Sequence, residues 1–474
     1  MKQALPPVTK AKGVTPSERY LARLAEKSFL NLWSYPSPFR DQRNNIRGDG
    51  KEICDLLIVC DSHVIIFSEK TVSWPKGDLN LAWSRWAKRA IRDAARQSAG
   101  AERWIAAHPD RIFLDRACKE LFPIDLPPED GRIFHRIVVA NGAAQPCRKN
   151  LSESFGSLII CPEIRGDAHW PRDSAQARPF YIGDIDPSGS FIHVFNEHSL
   201  DIVMRELDTI TDFVEYLDKK ANLVRSGRLV RADGEENLLA YYAIRINQNQ
   251  EHDFVSDQSR FVVDNSHYSG FVNDAQYKAK RKADRISYIW DELITAFTSH
   301  MLDGTSVTFG EHDFQLKKYE LGVRFMALEK RVFRRGYGEA VKGALEQGTE
   351  KEMFFRLIIK GEGSETAFFF LTFRYQGNST ESQEYEQYRE ARINVLQIYA
   401  KGILEKHPDL KRVIGISCEP PDQTHGSSED MVYAEQISWT EEERNQIREE
   451  CRKFGILRID MTTRNWSDKE YPDV

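Results

Sequence analysis

Residues 51–70 read KEICDLLIVCDSHVIIFSEK, with two short apolar runs on either side of Asp61-Ser62-His63. Two apolar runs around a short polar connection are typical of an antiparallel β-hairpin. Polar residues stand at its open end, where Asp55 begins the first strand and Ser68-Glu69-Lys70 closes the second. This stretch therefore predicts a buried hairpin with a carboxylate and a lysine at its mouth.

Helices are predicted on both sides of this hairpin. Thr15-Pro16-Ser17-Glu18 is typical of a helix start, and apolar residues follow it at spacings of three and four to about Trp33. Residues 79–108 are rich in alanine and carry tryptophans at helical spacing, and residues 133–140 form an apolar run that predicts a further strand. The pattern favours an α/β fold in which a mixed sheet is flanked by helices.

The polar residues at the hairpin mouth suit phosphodiester hydrolysis. That reaction, when it uses Mg²⁺, needs carboxylates to hold the cation and a lysine to orient the attacking water or offset developing charge. Because a hairpin brings its two ends together, we expect Asp55 and Lys70 to lie close to each other. Strand alternation places Ser68 and Lys70 on one face and Glu69 on the other, unless a bulge intervenes. Glu18, on the first helix, could lean over the sheet.

This order of elements resembles the PD-(D/E)XK nuclease superfamily. Residues 18–24 resemble the first-helix motif of archaeal Holliday-junction resolvases, and residues 51–59 with 64–70 are similar to nuclease-related, NERD-like domains. Gln97 stands where several of these nucleases place a glutamine. The resemblance covers roughly residues 15–115. It implies a restriction-endonuclease-like core, a Mg²⁺ or Mn²⁺ cofactor, and catalytic roles for Glu18, Asp55, Glu69, Lys70 and Gln97.

One position departs from the superfamily pattern, which has an acidic residue two positions before the lysine. Ser68 occupies that position here, and the acid is Glu69. A bulge could turn Glu69 into the site, Glu52 could supply the displaced carboxylate, or the site could have lost its metal and kept only a nucleic-acid-binding fold. The predicted metal ligands are therefore Asp55, Glu69 and Glu52.

A row of basic residues follows on the second helix. The formal net charge of the chain is -6, so contact with nucleic acid requires a local basic surface. Basic side chains recurring at helical spacing could follow a phosphate backbone. The expected partner is nucleic acid, with DNA favoured over RNA. The predicted nucleic-acid-binding residues are Arg85, Lys88, Arg89, Arg92 and Arg96.

The 474 residues, 41% hydrophobic and 29% charged, have enough apolar material for more than one core. Residues 1–15 are expected to form a flexible arm, and residues 16–246 a nuclease-like domain with a C-terminal extension. Residues 247–285 are polar and end in a charged run, which predicts a linker. Residues 286–474 are expected to form a second α/β domain, to which the sequence assigns no function.

Several classes of protein are excluded by the sequence. The seven cysteines are scattered and never in CxxC spacing, which argues against a zinc site and a disulfide framework. The sequence contains no apolar run of about 18 residues and no apolar signal region, so we expect a cytoplasmic protein without a membrane partner. It also lacks a P-loop and a Gly-rich dinucleotide motif.

Two functions follow as alternatives. The first is a Mg²⁺-dependent endonuclease, suited to defence against foreign DNA, whose second domain recognises a partner, a nucleic-acid structure or a trigger. Besides nucleic acid, the expected partners are an activating protein or an oligomer. The second is a non-catalytic nucleic-acid-binding or sensing protein built on a degenerate nuclease fold. Asp55, Glu69, Lys70 and Glu18 favour the first function. Ser68 favours the second.

Overall fold

The chain forms two compact units in the computed structural model. The N-terminal unit spans Val8–Lys278, and the C-terminal unit combines Met1–Pro7 with Ala279–Asp473. The residues that the structure describes are 2–3, 6–41, 50–151, 154–248, 251–308, 316–361, 363–377, 379–380, 382–423, 428–436, 438–457 and 469–473.

The elements are numbered in chain order. The strands are β1 (Lys2–Gln3), β2 (Ser34–Pro36), β3 (Phe39–Arg40), β4 (Lys51–Glu52), β5 (Leu56–Cys60), β6 (His63–Thr71), β7 (Ile112–Phe113), β8 (Ile133–Asn141), β9 (Ile159–Arg165), β10 (Tyr181–Asp184), β11 (Ile192–Phe195), β12 (Leu229–Ala232), β13 (Phe261–Val263), β14 (Val307–Thr308), β15 (Met353–Ile359), β16 (Thr366–Phe373), β17 (Arg412–Cys418) and β18 (Asp430–Glu435). The helices are α1 (Pro16–Phe29), α2 (Leu79–Ala87), α3 (Asp93–Ala107), α4 (Ala144–Asn150), α5 (Glu197–Glu206), α6 (Ile210–Ser226), α7 (Glu235–Ala243), α8 (His267–Asn273), α9 (Ala275–Ala283), α10 (Tyr288–Leu302), α11 (Leu316–Ala327), α12 (Arg331–Gly348), α13 (Gln383–Lys406) and α14 (Glu441–Lys453).

A five-stranded mixed sheet, in the order β11-β8-β6-β5-β2, forms the centre of the N-terminal unit. β5 and β6 are antiparallel and pair from Leu56 with Phe67 to Cys60 with His63, so the predicted hairpin is confirmed. β6 is parallel to β8, which is in turn parallel to β11. Every residue of β5 is buried. Both faces of the hairpin are therefore covered, which explains why its sequence is continuously apolar rather than alternating.

The first helix begins where the sequence predicted it. Thr15 caps α1 in a capping box with Glu18, and Pro16 occupies the first turn. Its buried stripe contains Leu21, Ala25 and Phe29 at spacings of four, and α1 packs against β2 and β5. This packing holds the start of the helix near the hairpin mouth.

The second helix starts at Asp78, whose side chain accepts hydrogen bonds from Asn80 N at 2.9 Å and Leu81 N at 3.2 Å. A π-helical segment, Lys88–Arg92, joins α2 to α3. α3 packs against β6 and β8. The helix predicted over residues 79–108 is thus confirmed, with a widened turn in its middle that the periodicity did not indicate.

Two smaller sheets complete the N-terminal unit. One has the order β10-β9-β12-β13, and the other joins β4, β3 and β7. In the second of these, Phe39 pairs with both Glu52 and Phe113. This pairing places the segment before the hairpin close to the end of α3.

The C-terminal unit contains a four-stranded mixed sheet in the order β15-β16-β17-β18. Its parallel pair, β16 and β17, is connected through α13, which packs on the sheet, and α14 packs against α13. Trp290 of α10 contacts Tyr337 and Phe368 in a separate aromatic cluster. A second α/β unit was predicted, and this architecture agrees with that general class.

Two of the predicted boundaries are wrong. Residues 247–285 are not a plain linker, because β13 pairs with β12 and the segment also contains α8 and all of α9. The predicted arm over residues 1–15 is ordered in part, since β1 pairs with β14 and Lys10 Nζ donates to Ser34 O at 2.9 Å. Both segments are polar, and their placement depends on contacts distant in sequence.

The central position of β6 can be tested with two isoleucines. Ile65 in β6 is 0% exposed, whereas Ile133 in β8 is 42% exposed. Ile65→Ala should lower the free energy of unfolding by about 2–5 kcal/mol, because it removes buried methyl groups and leaves a cavity. Ile133→Ala should change it by less than about 0.5 kcal/mol. Urea unfolding of both variants measures the difference, and equal effects would contradict this placement of the strand.

Candidate active site

Asp55 is fixed at the hairpin mouth by its own backbone. Its N–H donates to Phe67 O at 3.1 Å, and its carbonyl accepts from Ser37 N at 3.0 Å. Its side-chain Oδ2 accepts a hydrogen bond from Glu69 N at 2.6 Å. The residue is only 6% exposed. The carboxylate is therefore held in one place at the end of β5.

The pKa of the Asp55 carboxyl is shifted by burial and by the charged groups around it. Burial raises the pKa of its carboxyl to about 6, and the hydrogen bond from Glu69 N lowers the pKa in part. The positive charge of Lys70 also lowers it, as expected of a neighbouring ammonium. The negative charges of Glu52 and Glu18 raise it. The charges of Lys70, Glu52 and Glu18 thus all act on the Asp55 carboxyl.

Glu69 has a different environment. Its carboxylate accepts hydrogen bonds from Ser17 Oγ at 3.0 Å, Thr71 Oγ1 at 2.6 Å and Asn141 Nδ2 at 2.7 Å. β6 pairs with β8 without a break along its full length, so it has no bulge at this position. The interpretation in which a bulge turns Glu69 towards Lys70 is therefore wrong, and the two side chains leave the strand on opposite faces.

Glu18 serves the helix as well as the site. Its Oε2 accepts hydrogen bonds from Val14 N at 2.6 Å and Thr15 N at 3.3 Å, which completes the capping box of α1. A carboxylate at this position is also favourable to the helix dipole. Capping therefore accounts for the position of Glu18, while its charge still acts on Asp55.

Glu52 lines a cleft beside Asp55 that also contains two residues predicted from the second helix. Arg96 and Gln97 project into this cleft from α3, so the structure brings them together with Glu52. Glu52 thus lies in one cleft with Arg96 and Gln97, and its charge acts on Asp55. The cleft has a volume of about 170 Å³ and is lined by Arg40, Lys51, Glu52, Ile53, Arg96, Gln97, Gly100, Ala101 and Trp104.

The basic row on the second helix is only partly as predicted. Arg85, Arg89 and Arg96 are exposed, and Lys88 and Arg92 are half-buried. Arg92 pairs with Asp93 at 3.3 Å. The π-helical segment Lys88–Arg92 has more residues per turn than an α-helix. The row therefore does not lie on the single straight stripe that spacings of three and four predicted.

Sequence reasoning missed two groups of residues. Ser17, Thr71 and Asn141 surround Glu69; the last two end parallel strands, so pairing β6 with β8 would have indicated them. Arg40, Lys51 and Trp104 line the cleft. Their meeting depends on strands of two residues, which leave no periodic signal in a sequence.

The residues at the mouth fit a hydrated Mg²⁺ better than a cation enclosed by protein ligands. Among the described residues, no group of three His, Cys, Asp or Glu side chains is placed to hold an ion. Mg²⁺ is commonly bound by one or two carboxylates, several waters and the phosphates of its substrate. Asp55 and Glu52 are the two carboxylates that this site offers.

The raised pKa of Asp55 makes the stability of the N-terminal unit depend on pH. The folded-state value of about 6 lies above the ordinary value of 3.8, so the fold favours the neutral carboxyl. The stabilisation of the fold that comes from the neutral Asp55 carboxyl is complete below about pH 4 and is lost as the pH rises through about 6. Asp55→Asn should remove this loss, so its free energy of unfolding should exceed that of the parent by up to about 3 kcal/mol at pH 7–8.

Urea midpoints of the parent and of Asp55→Asn, measured from pH 4 to pH 8, check this expectation. The two proteins share every other titrating group, so the difference between their profiles isolates Asp55. Parallel profiles would show that this carboxyl does not titrate as its burial requires.

Comparison with protein-family models, with curated proteins and with solved structures finds no match to this chain. Among the described helices, none is long and apolar enough to cross a membrane. Inference about function therefore rests on the geometry of the hairpin mouth and its cleft.

Proposed function

We propose that this protein is a Mg²⁺-dependent endonuclease that hydrolyses phosphodiester bonds, with DNA favoured as the substrate. The observation that carries the proposal is the buried Asp55 carboxylate at the hairpin mouth, which interacts with Lys70 and Glu52. Buried carboxyls with raised pKa values beside a specific charged partner are concentrated at functional sites. The α/β class of the unit is compatible with the nuclease resemblance of residues 15–115.

Asp55 and Glu52 would hold the cation, which supplies charge stabilisation at the phosphate when it is bound. Asp55 must be ionised to act as a ligand. Because burial raises its pKa to about 6, its metal affinity should increase as the pH rises through that value.

Lys70 would orient the attacking water or offset the charge that develops on the phosphate. Its ammonium already interacts with Asp55, so no rearrangement of the strand is needed to bring the two groups together. Gln97 lines the adjoining cleft and could donate a hydrogen bond to the substrate. These residues come from the hairpin and from α3, which pack against each other.

Defence against foreign DNA remains the biological role that we propose for such an enzyme. The C-terminal unit would recognise a partner, such as an activating protein, a nucleic-acid structure or another trigger. This part of the proposal rests on the presence of a separate unit with its own sheet and core.

A non-catalytic nucleic-acid-binding or sensing protein is the alternative. Two observations favour it: Ser68 occupies the usual position of an acid, and three side-chain donors already hold Glu69. On this alternative, the basic residues of α2 and α3 would still bind phosphates.

Cleavage by single-site variants separates the enzyme from the alternative. Asp55→Asn keeps the shape of the side chain and removes the charge that holds the cation, so it should abolish metal-dependent cleavage while the fold is retained. Lys70→Ala should do the same. The exposed Asp130 provides a matched control, and Asp130→Asn should cut as the parent does. Circular and linear DNA and RNA are scored for strand breaks with Mg²⁺, Mn²⁺ or EDTA.

Calorimetric titration with Mn²⁺ tests the metal site even if the parent protein does not cut without a trigger. A competent site should bind Mn²⁺ even when no cleavage occurs, and Asp55→Asn should lose this binding. A parent that neither cuts nor binds Mn²⁺ would establish the binding-protein alternative. An Asp55→Asn protein that cuts as fast as the parent would show that Asp55 does not hold the catalytic cation.

The basic row can be tested separately from catalysis. Reversing Arg89 and Arg92 to glutamate should weaken DNA binding and flatten its salt dependence by about one unit of slope for each lost phosphate contact. Binding is measured in EDTA over a range of salt concentrations, with thermal stability measured alongside. Unchanged affinity at every salt concentration would remove these two residues from the proposed DNA surface.

A further inference from the structure

We infer that the cleft between β3, β4 and α3 is a phosphate-binding subsite. It would hold the backbone phosphate that neighbours the scissile phosphate on the same nucleic-acid strand. The residues that hold it are Arg40, Lys51, Arg96 and Trp104. This inference rests on the proposed function and deepens it. To Arg96, which the sequence already indicated, it adds Arg40, Lys51 and Trp104 as positioning residues; Arg40 and Lys51 belong to the short strands before the hairpin.

The charge of the cleft suits an anion. Arg40, Lys51 and Arg96 line it, against the single carboxylate of Glu52. Within the described part of the chain, none of these three basic side chains forms an ion pair. The neighbouring Arg111 differs from them, because its Nε donates to Asp41 Oδ2 at 3.1 Å. The excess positive charge therefore belongs to the cleft itself.

Trp104 supplies a second and independent observation. Its indole Nε1 is buried and has no hydrogen-bond partner among the described residues. A buried donor without an acceptor is costly, and such donors are rare in folded proteins. A phosphate oxygen in the cleft would accept this hydrogen bond.

The surroundings of Trp104 favour a phosphate over a stacked base. The guanidinium of Arg40 lies 4.7 Å from the ring centroid, that of Arg111 lies 5.3 Å away, and the His108 ring lies 4.4 Å away. These groups already cover the indole. The contact with the ring also restricts Arg40, which reduces the entropy lost when that side chain binds an anion.

The size and position of the cleft agree with this assignment. Its volume of about 170 Å³ is well above the roughly 10–15 Å³ that one water needs, which leaves room for one phosphate group. Glu52 lines the cleft and its charge acts on Asp55. A phosphate bound in the cleft therefore lies beside the hairpin mouth, where the adjoining phosphodiester would meet Asp55 and Lys70.

Three variants of the full-length protein test the subsite. Binding of a short fluorescent DNA is measured in EDTA, so that no cleavage occurs, at several salt concentrations. Arg40→Gln and Arg96→Gln should each weaken binding about tenfold at low salt and reduce the salt slope by about one unit, because each removes one charge contact with phosphate. Arg103→Gln is the matched control: Arg103 is exposed on α3 but does not line the cleft, so affinity and slope should be unchanged.

Trp104→Phe gives a result that loss of a surface charge would not. It removes the indole N–H and keeps an aromatic ring beside Arg40, so binding should weaken about tenfold while the salt slope stays the same. Thermal unfolding of each variant shows whether the fold is retained. Inorganic phosphate should compete with the DNA for the parent protein and compete less well for Arg40→Gln.

The outcomes distinguish this inference from the proposed function. If the parent cuts DNA but Arg40→Gln, Arg96→Gln and Trp104→Phe bind as well as Arg103→Gln, the subsite is wrong and the nuclease stands. If the parent never cuts or binds Mn²⁺ but the three variants lose affinity as expected, the subsite stands and the catalytic proposal fails.

Discussion

Hydrogen bonding on both sides of β6 is the constraint on which the rest of the N-terminal unit depends. The strand pairs with β8 from His63 to Thr71 without a break and with β5 over its first half. A shift of one residue would move every side chain to the opposite face of the sheet. At the mouth, such a shift would exchange the faces from which Ser68, Glu69 and Lys70 project. The register therefore determines that Ser68 and Lys70 share one side while Glu69 projects from the other, where Ser17 and Asn141 meet it.

The two acidic residues at the hairpin mouth illustrate opposite solutions to the burial of charge. Glu69 is nearly inaccessible, but three side-chain donors satisfy it. Asp55 is equally buried, and from the described residues its carboxylate receives one hydrogen bond, from Glu69 N, so burial dominates and its pKa rises. A carboxylate that is poorly satisfied by its own protein remains available to other partners, whereas a fully bonded one does not. This contrast makes Asp55 rather than Glu69 the centre of the proposed site.

The features that could be predicted from the sequence are those with a local signal. Apolar runs on either side of a polar turn predict the hairpin, and the cap formed by Thr15 and Glu18 predicts the start of α1. The approach of Asp55 and Lys70 follows from the hairpin alone. The cleft could not be predicted, because Arg40 and Lys51 meet Trp104 only through strands two residues long that pair across distant segments. The prediction of a linker over residues 247–285 was wrong for a related reason. A mostly polar segment can still pack on a domain through a few buried side chains, such as Phe261 and Phe271.

The composition of the C-terminal unit has a consequence for the order in which the chain is assembled during synthesis. Its strand β1 pairs with β14, and the intervening residues Val8–Lys278 form a unit of their own. A ribosome releases the N-terminus first, and domains generally fold as units during translation. The N-terminal unit can therefore reach its final form while Lys2 and Gln3 still have no partner, because Val307 and Thr308 have yet to be made. Lys2 and Gln3 are thus made before the N-terminal unit but take their place after it.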